Sequence, residues 1–176
     1  MPYYFDVLIR PETPDDYADI RNVNCSAFGS QLEARLVERL RDDKLVITSL
    51  VAVDDGRQVV GHILLSPVTI ATTESGDMQV ASLAPMSVVP SFQRKGIGSM
   101  LIERGIEACK RAHYRAIIVV GHPGYYPRFG FSHAVVTGLK NPFAADQAFM
   151  GLELTPCALS SLEGRVVYPP AFNEFS

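Results

Sequence analysis

Met86-Ser87-Val88-Val89-Pro90-Ser91-Phe92-Gln93-Arg94-Lys95-Gly96-Ile97-Gly98-Ser99-Met100-Leu101 is the stretch on which the fold turns. Its opening residues end a β-rich run, and Pro90 stops it. A short basic turn with two glycines follows. Beyond it Leu101, Ile102, Ile106 and Cys109 recur at helical spacing, so a helix runs from Gly98 to Ala112. Gly96 and Gly98 let the backbone turn tightly and approach a ligand. The free N–H groups of a helix start, with Arg94 and Lys95 at the lip, suit phosphate or pyrophosphate. A Walker-type loop does not fit, because Ser99 follows Gly98 with no lysine before it. A dinucleotide fingerprint does not fit either: Leu101 stands where its third glycine belongs, and His113 to Tyr125 contains no acidic residue. Gln93-Arg94-Lys95-Gly96-Ile97-Gly98 matches a third design, Q/R-x-x-G-x-G/A, in full. An ordinary glycine-bearing turn is the bland alternative.

Upstream, Phe5 to Arg10 reads as a strand, and Thr13-Pro14 as the start of a helix with Thr13 as N-cap. Tyr17, Ile20, Asn24, Ala27 and Phe28 share one face of that helix, and Gly29 ends it. Ser30-Gln31-Leu32-Glu33 has the form of a capping box and opens a second helix, with Leu32, Leu36, Val37 and Leu40 as its stripe. Ile47 to Val53, Val59 to Ile70 and Gln79 to Val89 read as a meander of strands. They turn at Asp54-Asp55-Gly56 and at Thr73 to Asp77, with Gly61 and Pro67 as irregularities. Downstream, Ala116 to Val120 is a wholly apolar, buried strand, and Tyr125 to Phe129 is one helical turn. Phe131 to Val136 and Phe149 to Leu154 read as the last strands. The order implies α/β or α+β with a mixed sheet.

The chain has 176 residues, 47% hydrophobic and 20% charged, which excludes a disordered, collagenous or coiled-coil chain. A single domain over 1–176 is expected, with a core of about 7–154 and a C-terminal extension 155–176. A net charge of −3 argues against nucleic acid as partner. The apolar run at 116–121 is far too short for a membrane span. Cys25, Cys109 and Cys157 fit small buried groups in a reducing compartment, and the early charges from Asp6 to Asp16 leave no room for a secretory segment. A cytoplasmic protein is expected, with no membrane partner.

The strand-Pro lead Met86 to Pro90, the loop Gln93 to Gly98, and Tyr126-Pro127-Arg128-Phe129-Gly130-Phe131 together resemble the GNAT superfamily of acyl-CoA N-acyltransferases. The match covers roughly Val7 to Leu154. Glu33-Ala34-Arg35-Leu36-Val37 and the ending Gly164 to Phe172 are similar to its bacterial YhbS-type branch. The resemblance implies a mixed, mostly antiparallel sheet flanked by helices, with acetyl-CoA between a splayed fourth and fifth strand. It implies that amides of Arg94, Lys95, Gly96, Ile97, Gly98 and Ser99, after Gln93, hold the pyrophosphate. It places the pantetheine arm against backbone of Met86, Ser87 and Val88, with an N–H near Val88 on the thioester carbonyl. In one respect the chain departs: many members carry Asn about seven residues before the tyrosine, and Val119 stands there, followed by Gly121-His122-Pro123-Gly124.

The implied reaction is acetyl transfer from acetyl-CoA to a primary amine by direct attack. Tyr126 is the candidate general acid; the bland alternative is a packing tyrosine. Glu33 is a candidate base or amine anchor, although the capping box already explains it. His122 is a weaker candidate. His62, His113 and His133 have no metal spacing and read as structural or surface groups, so no metal is expected. Cys109 has no base near it in sequence, which favours direct transfer. A monomer or homodimer is expected. The non-enzymatic rival is an acyl-CoA-binding sensor module of the same fold.

Overall fold

The computed structural model describes residues 6–73, 78–144 and 146–175. Its elements are β1 (Leu8–Pro11), α1 (Tyr17–Phe28), α2 (Leu32–Asp42), β2 (Thr48–Val53), β3 (Val59–Thr72) and β4 (Met78–Val88), then α3 (Ile97–Arg111), β5 (Ala116–Val120), β6 (Leu139–Lys140), β7 (Phe149–Glu153) and β8 (Gly164–Val167). The sheet order is β1-β2-β3-β4-β5-β7, with β8 pairing β3 and β6. The pairs β1/β2, β2/β3, β3/β8 and β5/β7 are antiparallel, and β4/β5 and β6/β8 are parallel. The sheet is therefore mixed and mostly antiparallel. Phe5 and most of the turn expected at Thr73 to Asp77 lie outside the described residues.

The chain forms two compact units. One takes the chain to Leu65 and then Pro85–Gly105; the other takes Ser66–Ala84 and the chain from Ile106. In the first unit, Leu36, Val37 and Leu40 of α2 are buried, as their spacing predicts. On α1 the buried face is Ile20, Val23 and Asn24, while Tyr17 and Phe28 are 38% and 44% exposed. Tyr17 instead lies under the Arg41 guanidinium, 3.6 Å from its ring centre. The Thr13-Pro14 start is a 3-10 turn, Pro14–Asp16, before α1 begins. Asp16 closes it, accepting from Thr13 N at 2.7 Å and from both Arg10 terminal nitrogens at 2.7 and 2.8 Å.

The second unit packs around Val68, Ile70, Val80, Ile118, Phe149 and Leu159. Here the expected strand at Phe131 to Val136 is replaced by a 3-10 turn, His133–Val136. Ser132 causes the change: its hydroxyl accepts from Ala134 N at 3.1 Å, so the backbone coils after one bridge to Gly151. The segment after 154 also enters the sheet. β8 pairs β3 from Thr69↔Val167 to Thr72↔Gly164, and Val166, Ala171 and Phe172 are buried.

Candidate functional site

The stretch at 86–101 lies in the first unit and folds as strand, turn and helix. Val89 N donates to Val60 O at 2.9 Å, then Pro90–Phe92 forms a 3-10 turn. Gln93 folds back, its Nε2 donating to Val88 O at 3.0 Å. Its side chain therefore ties the loop to the end of β4. Arg94 and Gly96 both take left-handed backbone, with φ of 63° and 83°. A Cβ on Gly96 would meet nothing within 4 Å, so glycine is needed there for its torsion and not for space. Met100 N donates to Gly96 O at 3.1 Å, which is where helical bonding begins. The N–H groups of Ile97, Gly98 and Ser99 precede it and form the positive end of α3. Arg94 and Lys95 are exposed beside them, Lys95 Nζ lying 4.8 Å from the Phe92 ring centre. The arrangement suits an anionic, phosphate-bearing ligand.

Gly61 of β3 decides how close α3 starts to the sheet. A Cβ there would stand 3.1 Å from Leu101 Cδ1, 3.2 Å from Ile97 Cγ2 and 3.3 Å from Ala52 Cβ. With hydrogen in its place, Ile97 and Leu101 settle at 2% and 0% exposure and pin the helix start. The irregularity read at Gly61 is thus a seat for the loop's helix, a role visible only across the fold. Ser87 is also tied down, its Oγ donating to Asn24 Oδ1 of α1 at 3.0 Å.

Glu33, in the same unit, is half-buried in the first turn of α2. The helix is capped at Gln31, one residue later than the expected box. Ser30 Oγ accepts from Leu32 N at 3.2 Å and donates to Glu33 Oε2 at 2.8 Å. Ser30 and Glu33 therefore bond side chain to side chain, and the reciprocal box is not formed.

Tyr126 lies in the second unit, at the head of a 3-10 turn, Tyr126–Phe129, that ends on Gly130 at φ 95°. Its ring is 8% exposed and meets Tyr125 and Phe131 edge-on at 5.3 and 5.7 Å. It also rests on Gly121, where any Cβ would strike its Cε2 edge. Burial raises its phenol well above the ordinary tyrosine range, so the proton stays on the oxygen at neutral pH. Exposed His122 supports the turn from below through its carbonyl, which accepts from Tyr125 N at 3.0 Å and Tyr126 N at 3.3 Å. Val119, which stands where the resemblance places an asparagine, is buried at 2% and offers no polar side-chain group. Cys109 is buried too, and burial pushes its thiol up to about 12, which leaves it protonated and a poor nucleophile. His133 Nδ1 lies 2.8 Å from Phe149 O, a structural contact. Among the described residues, no group of three or more His, Cys, Asp or Glu is placed to hold a metal ion, and no helix is long and apolar enough to cross a membrane.

Sequence reasoning left out Asn24 as a partner of Ser87. The signal was present: a polar residue in the apolar face of α1.

Residues 8–134 match the family model described as acetyltransferase (GNAT) domain. Escherichia coli (strain K12) YhbS, named an uncharacterized N-acetyltransferase, is 34% identical over 170 residues, covering 96% of this chain and 100% of that protein. Its crystal structure in complex with CoA superposes with a TM-score of 0.88 at 32% identity, over 100% of this chain and 97% of the other. A Brucella melitensis GNAT family acetyltransferase, crystallised with acetyl-CoA, superposes with a TM-score of 0.78 at 36% identity, over 97% of this chain and 100% of the other.

Proposed function

The chain belongs to the GNAT acetyltransferase family, and on that footing we propose that it transfers the acetyl group of acetyl-CoA to a primary amine by direct attack on the thioester. One observation carries the reading: the chain shares its fold, over 100% and 97% of its length, with two relatives crystallised with CoA and acetyl-CoA. The glycine-bearing helix start with Arg94 and Lys95 beside it supports the same ligand. In this reading 1–176 is a single acetyltransferase domain working in the cytoplasm, as monomer or homodimer.

The pyrophosphate sits on the amides from Arg94 to Ser99, where the helix dipole and two cations favour its charge. The pantetheine arm runs along Met86, Ser87 and Val88, and an N–H near Val88 stabilises the oxyanion, an interaction worth roughly 3–4 kcal/mol. The neutral amine attacks the thioester carbon, Glu33 takes its proton or holds its cation, and the C–S bond breaks. The departing thiolate takes a proton from the Tyr126 phenol. The high phenol pKa means that this proton is present throughout the working range. Buried, unreactive Cys109 supports direct transfer in place of an acyl-enzyme.

Calorimetry with acetyl-CoA, followed by acetyl-CoA consumption against a panel of primary amines, tests the proposal. Binding with consumption by at least one amine is the expected result. Binding with no consumption by any amine would make the chain an acyl-CoA-binding sensor. No binding would end both readings.

A further inference from the structure

Six polar side chains of the first unit form one continuous chain through its apolar interior. Ser87 Oγ donates to Asn24 Oδ1 at 3.0 Å. Asn24 Nδ2 donates to Ile20 O at 3.0 Å and meets His62 Nδ1 at 3.2 Å. His62 Nε2 lies 2.8 Å from Ser49 Oγ, which donates to Glu12 Oε2 at 2.6 Å. Arg41 closes the far end with two bonds to Glu12, both 3.0 Å. Asn24 and His62 in the middle are fully buried.

The direction of every bond follows from the Glu12 end. A carboxylate such as Glu12 only accepts, so Ser49 spends its single proton there. Ser49 Oγ must then accept from His62, which puts the imidazole proton on Nε2. His62 Nδ1 is left as an acceptor, and it takes the second N–H of the Asn24 amide. The amide oxygen accordingly faces Ser87 and takes its hydroxyl proton. All donors run toward one part-buried carboxylate, and such chains polarise in sequence. The consequence falls on Ser87: its proton is committed inward, and its oxygen is left to act as an acceptor. Ser87 is 3% exposed, against 0% for Asn24 and His62, and it stands between Met86 and Val88 on the strand assigned above to the coenzyme arm.

We propose that Ser87 Oγ accepts a hydrogen bond from the N–H of the attacking amine and turns the nitrogen lone pair toward the thioester, with Asn24 and His62 as the positioning residues that keep the hydroxyl in this orientation. The inference rests on the acetyltransferase reading. A hydroxyl free to rotate can offer its proton to the amine lone pair and mask the nucleophile. The chain removes that option.

The test compares two probes by calorimetry: CoA, and a conjugate, CoA–S–CH2–CO–NH–CH3, that carries an N–H where the amine would lie. The wild type is expected to bind the conjugate more tightly than CoA. Ser87→Ala should weaken the conjugate about fivefold to tenfold more than it weakens CoA, as expected for one neutral hydrogen bond. Ser87→Thr keeps an acceptor oxygen and should restore the difference. Nitrogen-15 spectra of the His62 ring should show the Nε2–H tautomer. Equal weakening of both probes by Ser87→Ala would assign the contact to the coenzyme arm and overturn the proposal. An unchanged conjugate affinity, or a ring protonated on Nδ1, would overturn it as well. If the wild type binds neither probe, the acetyltransferase reading fails first and carries this inference down with it.

Discussion

Tyr126 carries the sharpest expectation at the scale of single residues. Its ring is wedged between Gly121, Tyr125 and Phe131, so Tyr126→Phe keeps the packing and removes only the hydroxyl. Acetyl-CoA affinity should survive, and single-turnover acetyl transfer should slow by roughly 10²-fold, the lower range for a lost general acid. Tyr125→Phe, on the half-buried neighbour, should change the rate by less than about twofold. A wild-type rate for Tyr126→Phe would mean that the thiolate leaves without help from this phenol. Burial holds the Tyr126 phenol above its ordinary range. A raised pKa keeps the acid form present across the neutral range, so no basic limb of the kcat profile below about pH 10 should belong to it. Glu33 divides two roles by charge. Glu33→Gln keeps a partner for the Ser30 hydroxyl, so a local structural role predicts nearly unchanged kcat/KM. A base or amine anchor predicts a loss of about 10²-fold or more. Steady-state kinetics on the best amine reads the difference.

The element that matters most is the turn from β4 into α3. Gly98 lies in the first turn of α3, beside the free amides assigned to the pyrophosphate. Gly98→Asp adds bulk and a negative charge there, and should weaken acetyl-CoA by more than about tenfold in calorimetry. Equal dissociation constants would remove the pyrophosphate from this loop. Gly61 tests the same element from beneath. Gly61→Val puts methyl groups where even a Cβ is within 3.1–3.3 Å of Leu101, Ile97 and Ala52. Overpacking of this kind costs typically 1–3 kcal/mol, read as a lower urea midpoint. Acetyl-CoA affinity should fall with it, because the helix start cannot hold its place on the sheet.

At the scale of the whole molecule, acid should destabilise the fold in two stages. His62 is buried as a neutral ring, with its pKa lowered by desolvation from 6.5 to about 4. Below pH 6.5 the unfolded chain therefore takes up a proton that the folded chain refuses, and stability drops as pH falls toward 4, by up to about 3 kcal/mol. Asp16 has the second effect. The Arg10 guanidinium, bonded to both its oxygens, lowers its pKa from 3.8 to about 2. That contribution is present above pH 3.8 and lost toward 2. Thermal unfolding should show a plateau in Tm above pH 6.5 and a decline beginning there, well above the carboxylate range. A Tm that stays flat down to about pH 4 would mean that His62 is not held neutral inside the fold.

What could be read from the sequence is what neighbouring residues decide among themselves. The loop Gln93 to Gly98, the apolar strand Ala116–Val120 and the buried stripes of α2 and α3 all follow from local spacing, and all appear within a residue or two of expectation. The Tyr126 turn and its closing Gly130 were legible for the same reason, because a short motif sets its own backbone. The rest depended on partners far away along the chain. Asn24 meets His62 across 38 residues and Ser87 across 63, so no window of sequence contains the chain of bonds that orients Ser87. His62 looked like an isolated histidine because its ligands, Asn24 and Ser49, come from other elements. The segment at 131–136 looked like a strand by composition, and a single side-chain cap from Ser132 turned it into a coil. β8 is a strand because Thr69 to Thr72 offers it an edge to pair with. Periodicity and turn chemistry are local energies and are written in order; the pairing of buried polar groups and of strand edges is settled only when the folded chain brings the partners together.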